Sequence, residues 1–118
     1  MEKDKIYKLL WATIEDFVGI WEFHWEVNSL LKHDVLSNKK MAKKVLLFFL
    51  DHELIELFYD KWGADQLEKI ENSEAREIIK GEKYWLPPDV NDVCVKAGST
   101  VKGEKYYNEE MIGDVRFL

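Results

Sequence analysis

The stretch that decides the fold lies at residues 37–62 and reads SNKKMAKKVLLFFLDHELIELFYDKW. Its first half has the period of a helix, and the apolar positions form one stripe of Ala42, Val45, Leu46, Phe49 and Leu50. Its second half, residues 54–62, has the alternation and residue types of a strand, which Gly63 is expected to end. Ser37 or Asn38 is predicted to cap the helix. Because neither element can bury its apolar side alone, the helix must fold back onto the strand.

Length and composition predict one domain that spans residues 1–118. Domains run about 100–200 residues, and a chain of this size can bury a core without disulfide bonds. The single cysteine cannot form an internal disulfide, which indicates a reducing compartment. No signal-peptide pattern opens the sequence, and no apolar run approaches the roughly 20 residues of a membrane span. We therefore expect a cytoplasmic protein with no membrane partner.

The charge is acidic overall but unevenly distributed. The net charge at pH 7 is −6. Four lysines nevertheless form a lysine face on the helix side opposite the apolar stripe: Lys39, Lys40, Lys43 and Lys44. Phosphate would be repelled by the chain as a whole but not by this lysine face. The alternative interpretation is a solvated surface that keeps a strongly apolar helix soluble.

Two further helices are predicted before this stretch. The first covers residues 4–17. The second covers residues 20–31, although Trp21 to Val27 also alternates as a strand would. The helix is preferred because the apolar pattern persists to the end of the segment, beyond the usual strand length of about five residues. A turn at residues 33–37 then leads into the third helix.

The second half of the chain contains shorter elements. Asp65 to Glu68 has the spacing of a capping box, which predicts a helix start, and residues 73–80 are predicted as a helix ended by Gly81. Residues 84–88 are expected to be extended, because proline excludes the helical region for its predecessor. The other predicted segments are a β region marked by Val90, Val93, Val95 and Val101, a turn at 97–99, a helix at 103–110, and an apolar tail at 115–118 that docks on the fold.

The order of three helices, a strand and a later hairpin resembles winged helix-turn-helix domains. The resemblance is carried by the helices at 20–31 and 38–51, the strand from Leu54 to Tyr59, and the Thr-x-x-Gly pattern within 99–107. It implies an α+β, winged-helix-like fold of three N-terminal helices and a small antiparallel sheet, with residues 64–92 as a helical and Pro-rich insertion between the wing strands. It also implies a dimeric DNA-binding transcriptional regulator whose third helix enters the major groove. The DNA-binding residues would then be Asn38, Lys39, Lys40, Lys43 and Lys44.

Catalytic chemistry has little support in the sequence. It contains no phosphate loop, serine elbow or dinucleotide fingerprint, so neither an enzyme nor a cofactor is expected. His24 and His52 each lie between acidic residues but lack a metal-ligand spacing, and both are interpreted as structural or surface side chains. Cys94 is interpreted as a small buried thiol among valines.

The leading hypothesis is therefore a non-enzymatic protein-binding domain. An acidic surface would attract a basic protein partner, for example a nuclease toxin that the chain neutralises as an immunity protein. The small, acidic, Trp-rich format is similar in style to immunity proteins and other small bacterial proteins. The predicted protein contacts are Trp62, Glu68, Glu71, Glu74 and Trp85. For Trp85, the alternative is that it packs the insertion against the sheet.

Overall fold

Helices and strands are mixed along the chain in the computed structural model, which describes residues 1–89 and 92–117. The fold is α+β, with five helices and a four-stranded antiparallel sheet in these ranges. The helices are α1 (Lys3–Glu15), α2 (Ile20–Leu31), α3 (Val35–Asp51), α4 (Asn72–Lys80) and α5 (Val101–Asn108). The strands are β1 (Val18–Gly19), β2 (Ile55–Asp60), β3 (Glu68–Lys69) and β4 (Cys94–Ser99).

The two N-terminal helices follow the predicted pattern. α1 ends at Glu15 rather than Phe17, and the chain then forms the short strand β1, which the sequence did not predict. α2 is a helix, as predicted, and the strand alternative for Trp21 to Val27 is wrong. The first turn of α2 is closed by Glu22, whose side chain accepts a hydrogen bond from the Gly19 N–H at 3.0 Å.

The third helix begins at Val35, earlier than predicted, because Asp34 caps it. The Asp34 carboxylate accepts hydrogen bonds from the Ser37 hydroxyl at 2.6 Å and the Ser37 N–H at 2.9 Å, and these bonds lower the pKa of Asp34. The prediction of Ser37 or Asn38 as the cap is therefore wrong. The predicted apolar stripe is confirmed, since all five members are buried: Ala42, Val45, Leu46, Phe49 and Leu50. The longest helix of the described ranges is α3, with 17 residues. Neither α3 nor any of the four other helices is long and apolar enough to cross a membrane.

The sheet has the strand order β1–β4–β2–β3, so the two longer strands lie at its centre. Their register pairs Leu57 with Ala97 and Tyr59 with Val95. The predicted turn at 97–99 is wrong, because these residues continue β4 by pairing with the start of β2. Of the valines predicted to mark a β region, Val95 lies in β4. Val93 precedes that strand, Val101 is the first residue of α5, and Val90 lies outside the described residues.

An insertion of residues 61–93 separates the two central strands in the sequence. The helix start predicted at Asp65 to Glu68 is wrong, because Glu68 and Lys69 form the edge strand β3, which pairs with β2. The helix predicted at 73–80 is confirmed as α4. It ends before Gly81, whose N–H donates to the Glu77 carbonyl at 3.0 Å.

One hydrophobic core joins the helices to the sheet. Phe23 of α2 meets Phe49 of α3 edge to face, with ring centroids 6.5 Å apart. The docking predicted for the C-terminal tail is confirmed in its described part, since Phe117 packs against Phe48 at a centroid distance of 5.8 Å. The remaining tail residue, Leu118, lies outside the described residues.

Candidate functional site

The insertion divides the lysine face into two pairs. Lys39 Nζ and Lys43 Nζ both bind the Glu82 carboxylate, at 2.9 and 2.5 Å. Lys40 is exposed and Lys44 is half-buried. Because Glu82 follows α4, the insertion itself supplies the carboxylate that pairs with two of the predicted DNA-binding lysines and offsets half of their positive charge. This carboxylate would repel a phosphate that approached those two lysines.

Trp85 fastens the same insertion to the helices. It is 2% exposed, and its indole N–H donates to the Ile79 carbonyl at 3.0 Å. Its ring meets His24 of α2 edge to face at 6.5 Å, and Lys43 Nζ of α3 lies 5.9 Å from the ring centroid. The prediction of Trp85 as a protein contact is therefore wrong. It packs the insertion into the core, as the alternative held, with contacts to α2 and α3.

Asn38, another predicted DNA contact, is buried. It is 1% exposed, and its Nδ2 donates to Asn28 Oδ1 at 2.7 Å and to the His33 carbonyl at 3.0 Å. These bonds connect α2 to α3 across the intervening turn. A buried amide cannot reach the edge of a base, so the predicted DNA contact of Asn38 is wrong.

The other predicted protein contacts remain on the surface of the insertion. Trp62 is 72% exposed. Glu71 is exposed directly before α4, and Glu74 is exposed in its first turn. Glu68 is exposed on β3, and its carboxylate binds Lys61 Nζ at 2.7 Å. An exposed tryptophan beside charged groups has the composition of a protein-binding hot spot.

Two of these glutamates line a cleft of about 800 Å³, which also includes the end of β2 and the Pro-rich segment. Tyr59 of β2 and Tyr84 supply its aromatic surface, with ring centroids 6.1 Å apart. Leu86, Pro87 and Pro88 add apolar lining. The sequence did not predict this cleft. Its Pro-rich segment was expected to be extended, but no local pattern places that segment beside β2.

Negative charge prevails in the lining of the cleft. The carboxylates are Glu68, Glu74, Asp89 and Asp92, and the ammonium groups are Lys61 and Lys83. Tyr59 donates its hydroxyl hydrogen to Glu74 Oε1 at 2.6 Å, and this hydrogen bond raises the pKa of Tyr59, which keeps the phenol neutral. Lys83 Nζ lies 5.1 Å from the Tyr84 ring centroid. The Tyr84 ring is therefore already used as a surface for a cation.

Cys94, the first residue of β4, also lines this cleft. Cys94 is half-buried, with Sγ 3.8 Å from the Asp60 carbonyl oxygen. Burial raises the pKa of the Cys94 thiol. Since the thiolate is the nucleophile, a raised pKa makes this side chain a poor nucleophile at neutral pH.

The two histidines weighed as metal ligands lie in separate surroundings. His24 is buried, with Nε2 3.1 Å from the Val35 carbonyl oxygen. His52 is exposed at the end of α3, and its ring lies 4.3 Å from that of Phe48. Within residues 1–89 and 92–117, no three His, Cys, Asp or Glu side chains are arranged to hold a metal ion.

No family model, no curated protein and no solved structure matches this chain. Its function is therefore inferred from the placement of its own residues.

Proposed function

We propose that this chain is a non-enzymatic protein-binding domain on a winged-helix-like scaffold, and that its partner is a basic protein. The observation that carries the proposal is the ion-pair cluster of Lys39, Lys43 and Glu82, through which the insertion covers one flank of α3 and offsets part of its positive charge. The same insertion leaves Trp62 and several carboxylates exposed. The surface available to a partner is therefore aromatic and acidic rather than basic.

The order of the strands supports the winged-helix part of the proposal. β1 lies between α1 and α2 in the sequence and pairs with β4, which pairs in turn with β2, directly after α3. Three N-terminal helices followed directly by β2 agree with the element order seen in the sequence, and β1 adds a strand that the sequence did not predict. Residues 61–93 would replace the loop of the wing, and β3 would extend the sheet by one strand.

The chemistry of the exposed groups supports a basic protein partner. A tryptophan such as Trp62 can bury a large apolar area at little cost in side-chain entropy, which is why tryptophan is frequent among interface residues that dominate affinity. Exposed carboxylates on the same insertion would speed and orient the approach of a positively charged partner. A nuclease toxin is one class of basic protein, and the chain would then act as its cytoplasmic immunity protein.

Charge reversal tests this proposal. A variant carrying Glu68→Lys, Glu71→Lys and Glu74→Lys is compared with the unaltered protein. A basic partner is first isolated by affinity capture and identified by mass spectrometry, and its Kd for each protein is then measured by calorimetry. We expect the Kd to rise about tenfold or more in the variant, and the difference to shrink at high salt, because opposite charges are replaced by like charges.

The matched control makes the same change of charge on α5 and the residues that follow it. Glu104, Glu109 and Glu110 are exposed there, and their replacement by lysine should leave the Kd within about a factor of two. Equal losses in both variants would indicate only long-range attraction. The proposal would be overturned if the partner bound the first variant as tightly as the unaltered protein.

A winged helix-turn-helix DNA-binding regulator is the second candidate, favoured by the remaining half of the lysine face. Lys40 is exposed and Lys44 is half-buried. If they contact phosphates, replacing both with glutamine should reduce the slope of log K against log salt by about two, as measured by fluorescence anisotropy with duplex DNA. The matched change at Lys39 and Lys43 should reduce the slope by less than that, because Glu82 already pairs with both lysines. Failure to bind duplex DNA at low salt removes this candidate.

A further inference from the structure

The cleft beside β2 combines two features that suit a planar cation. One is the aromatic surface of Tyr59 and Tyr84, and the other is a lining in which carboxylates outnumber ammonium groups. We infer that this cleft binds an arginine-bearing, extended segment of the basic partner. The inference rests on the proposed protein-binding function and names the site and the chemical group that the partner contributes.

The lining of the cleft has a net negative charge, which favours the binding of a cation. Lys61 is already bound to Glu68 at 2.7 Å, so these two side chains largely neutralise each other. The remaining ionic groups in the lining are one ammonium, of Lys83, and three carboxylates: Glu74, Asp89 and Asp92. A guanidinium would therefore enter a site with net negative charge.

Arginine fits this lining better than lysine does. Its planar guanidinium can donate two parallel hydrogen bonds to one carboxylate and can stack on an aromatic ring at the same time. The Tyr84 ring already accepts the ammonium of Lys83 at 5.1 Å, which marks its face as a cation surface. A lysine ammonium would meet the same charges but would not stack, since it is a point charge on a flexible stem.

The size and the walls of the cleft favour a short segment of chain rather than one side chain. A volume of about 800 Å³ lies toward the upper end of the range for small-molecule sites, about 300–1,000 Å³. Pro87 and Pro88 have fixed φ angles and lack an N–H, so they form a preformed apolar wall. A wall of this kind needs little reordering when an extended segment binds.

A peptide titration tests the inference. The probe is tetra-arginine with acetylated and amidated ends, added to the ¹⁵N-labelled full chain, and the readout is the change in amide shifts. We expect saturable shifts concentrated at residues 59–61, 83–86 and 92–94. Tetra-lysine should bind about tenfold more weakly because it cannot stack, and tetra-glutamate should cause no saturable shifts.

Two variants locate the binding. Asp92→Asn removes an exposed carboxylate of the lining, and Tyr84→Leu removes the cation surface. Each should weaken tetra-arginine binding about tenfold, and the amide spectrum reports directly whether the variant is folded. The matched control is Glu109→Gln, an exposed carboxylate beside α5 that is not part of the cleft lining, and it should bind as the unaltered protein does. The inference fails if shifts spread over all acidic surfaces without saturation, or if the two peptides bind equally.

Failure of this inference can be told apart from failure of the proposed function. If charge reversal weakens a basic protein partner but tetra-arginine does not bind in the cleft, protein recognition stands and the arginine site is wrong. If tetra-arginine saturates the cleft but charge reversal leaves the partner's affinity unchanged, the arginine site stands and the proposed recognition of that partner is wrong.

Discussion

Glu82 Oε1 lies 2.5 Å from Lys43 Nζ, although 39 residues separate the two in the sequence. The other Glu82 oxygen binds Lys39 at 2.9 Å. Hydrogen bonds from these two lysines lower the pKa of Glu82 to about 2. Since the pairs connect the insertion to α3, they contribute to the stability of the fold as well as to the charge of its surface.

The first prediction concerns the dependence of stability on pH. The pKa of Glu82 falls from an ordinary value of 4.5 to about 2 in the folded chain, so the ion pairs stabilise the fold above about pH 4.5 and lose that effect as the pH falls toward 2. Glu82 faces solvent, so we expect Glu82→Gln to reduce the free energy of unfolding by only about 1 kcal/mol at pH 7. Urea unfolding at pH 7 and at about pH 3 should show the difference shrinking at the lower pH.

The control for this comparison is Glu109→Gln, which alters an exposed carboxylate beside α5. It should change the free energy of unfolding by less than about 0.5 kcal/mol at pH 7. A Glu82→Gln protein as stable as the unaltered one at pH 7 would contradict the stabilising role of the cluster.

The second prediction separates two tryptophans that look alike in the sequence. Trp85 is 2% exposed and Trp62 is 72% exposed. Trp85→Ala removes a buried ring and leaves the Ile79 carbonyl without its indole donor, so we expect a loss of about 3–5 kcal/mol. Trp62→Ala should cost less than about 0.5 kcal/mol. Urea unfolding followed by circular dichroism measures both, and comparable losses would contradict the assigned burial.

Much of the fold could be predicted because its signals are local. The α3 stripe and the adjoining strand repeat with the periods of a helix and a strand, and both elements are present. The same holds for α2, where persistence of the apolar pattern correctly outweighed the alternation from Trp21 to Val27. Periodicity succeeds in these segments because each buries one continuous face against the same core.

Where the predicted secondary structure was wrong, a hydrogen-bond partner that the local pattern did not indicate determined the conformation. Ser37 was expected to cap α3, but Asp34 offers a carboxylate that binds Ser37 itself. The segment Asp65 to Glu68 was expected to begin a helix with Asp65 as its cap, but the pairing of Glu68 with Tyr59 places that residue in the sheet. The cleft depends on such distant pairings throughout, and no period in the sequence brings Tyr84 beside Tyr59.

The third prediction concerns the pair of asparagine amides that joins α2 to α3. Asn38 Nδ2 donates to Asn28 Oδ1 at 2.7 Å, and Asn38 is 1% exposed. Asn38→Ala should cost about 1–2 kcal/mol, because Asn28 Oδ1 and the His33 carbonyl, which are only partly buried, lose their donor. The double variant with Asn28→Ala should cost less than the sum of the two single variants, since the remaining amide is also removed. Urea unfolding of all four proteins gives the coupling, expected at about 1 kcal/mol, and strict additivity would contradict a direct bond.

The last prediction concerns the Thr-x-x-Gly pattern, which the structure explains as the attachment of α5. Thr100 Oγ1 accepts a hydrogen bond from the Gly103 N–H at 3.0 Å and donates to the Glu53 carbonyl at 2.7 Å. This holds Gly103 so close to the turn between α3 and β2 that a Cβ there would overlap the Leu54 carbonyl oxygen. Gly103→Ala must therefore shift backbone, at a cost of about 3 kcal/mol, against which alanine gains about 1 kcal/mol in helix propensity. We expect a net loss of about 2 kcal/mol in the free energy of unfolding, measured with urea.

Gly113→Ala is the matched control. A Cβ at that position meets open space among the described residues, so the substitution should cost less than about 0.5 kcal/mol. Equal stabilities of the two variants would contradict the close approach of α5 to this turn.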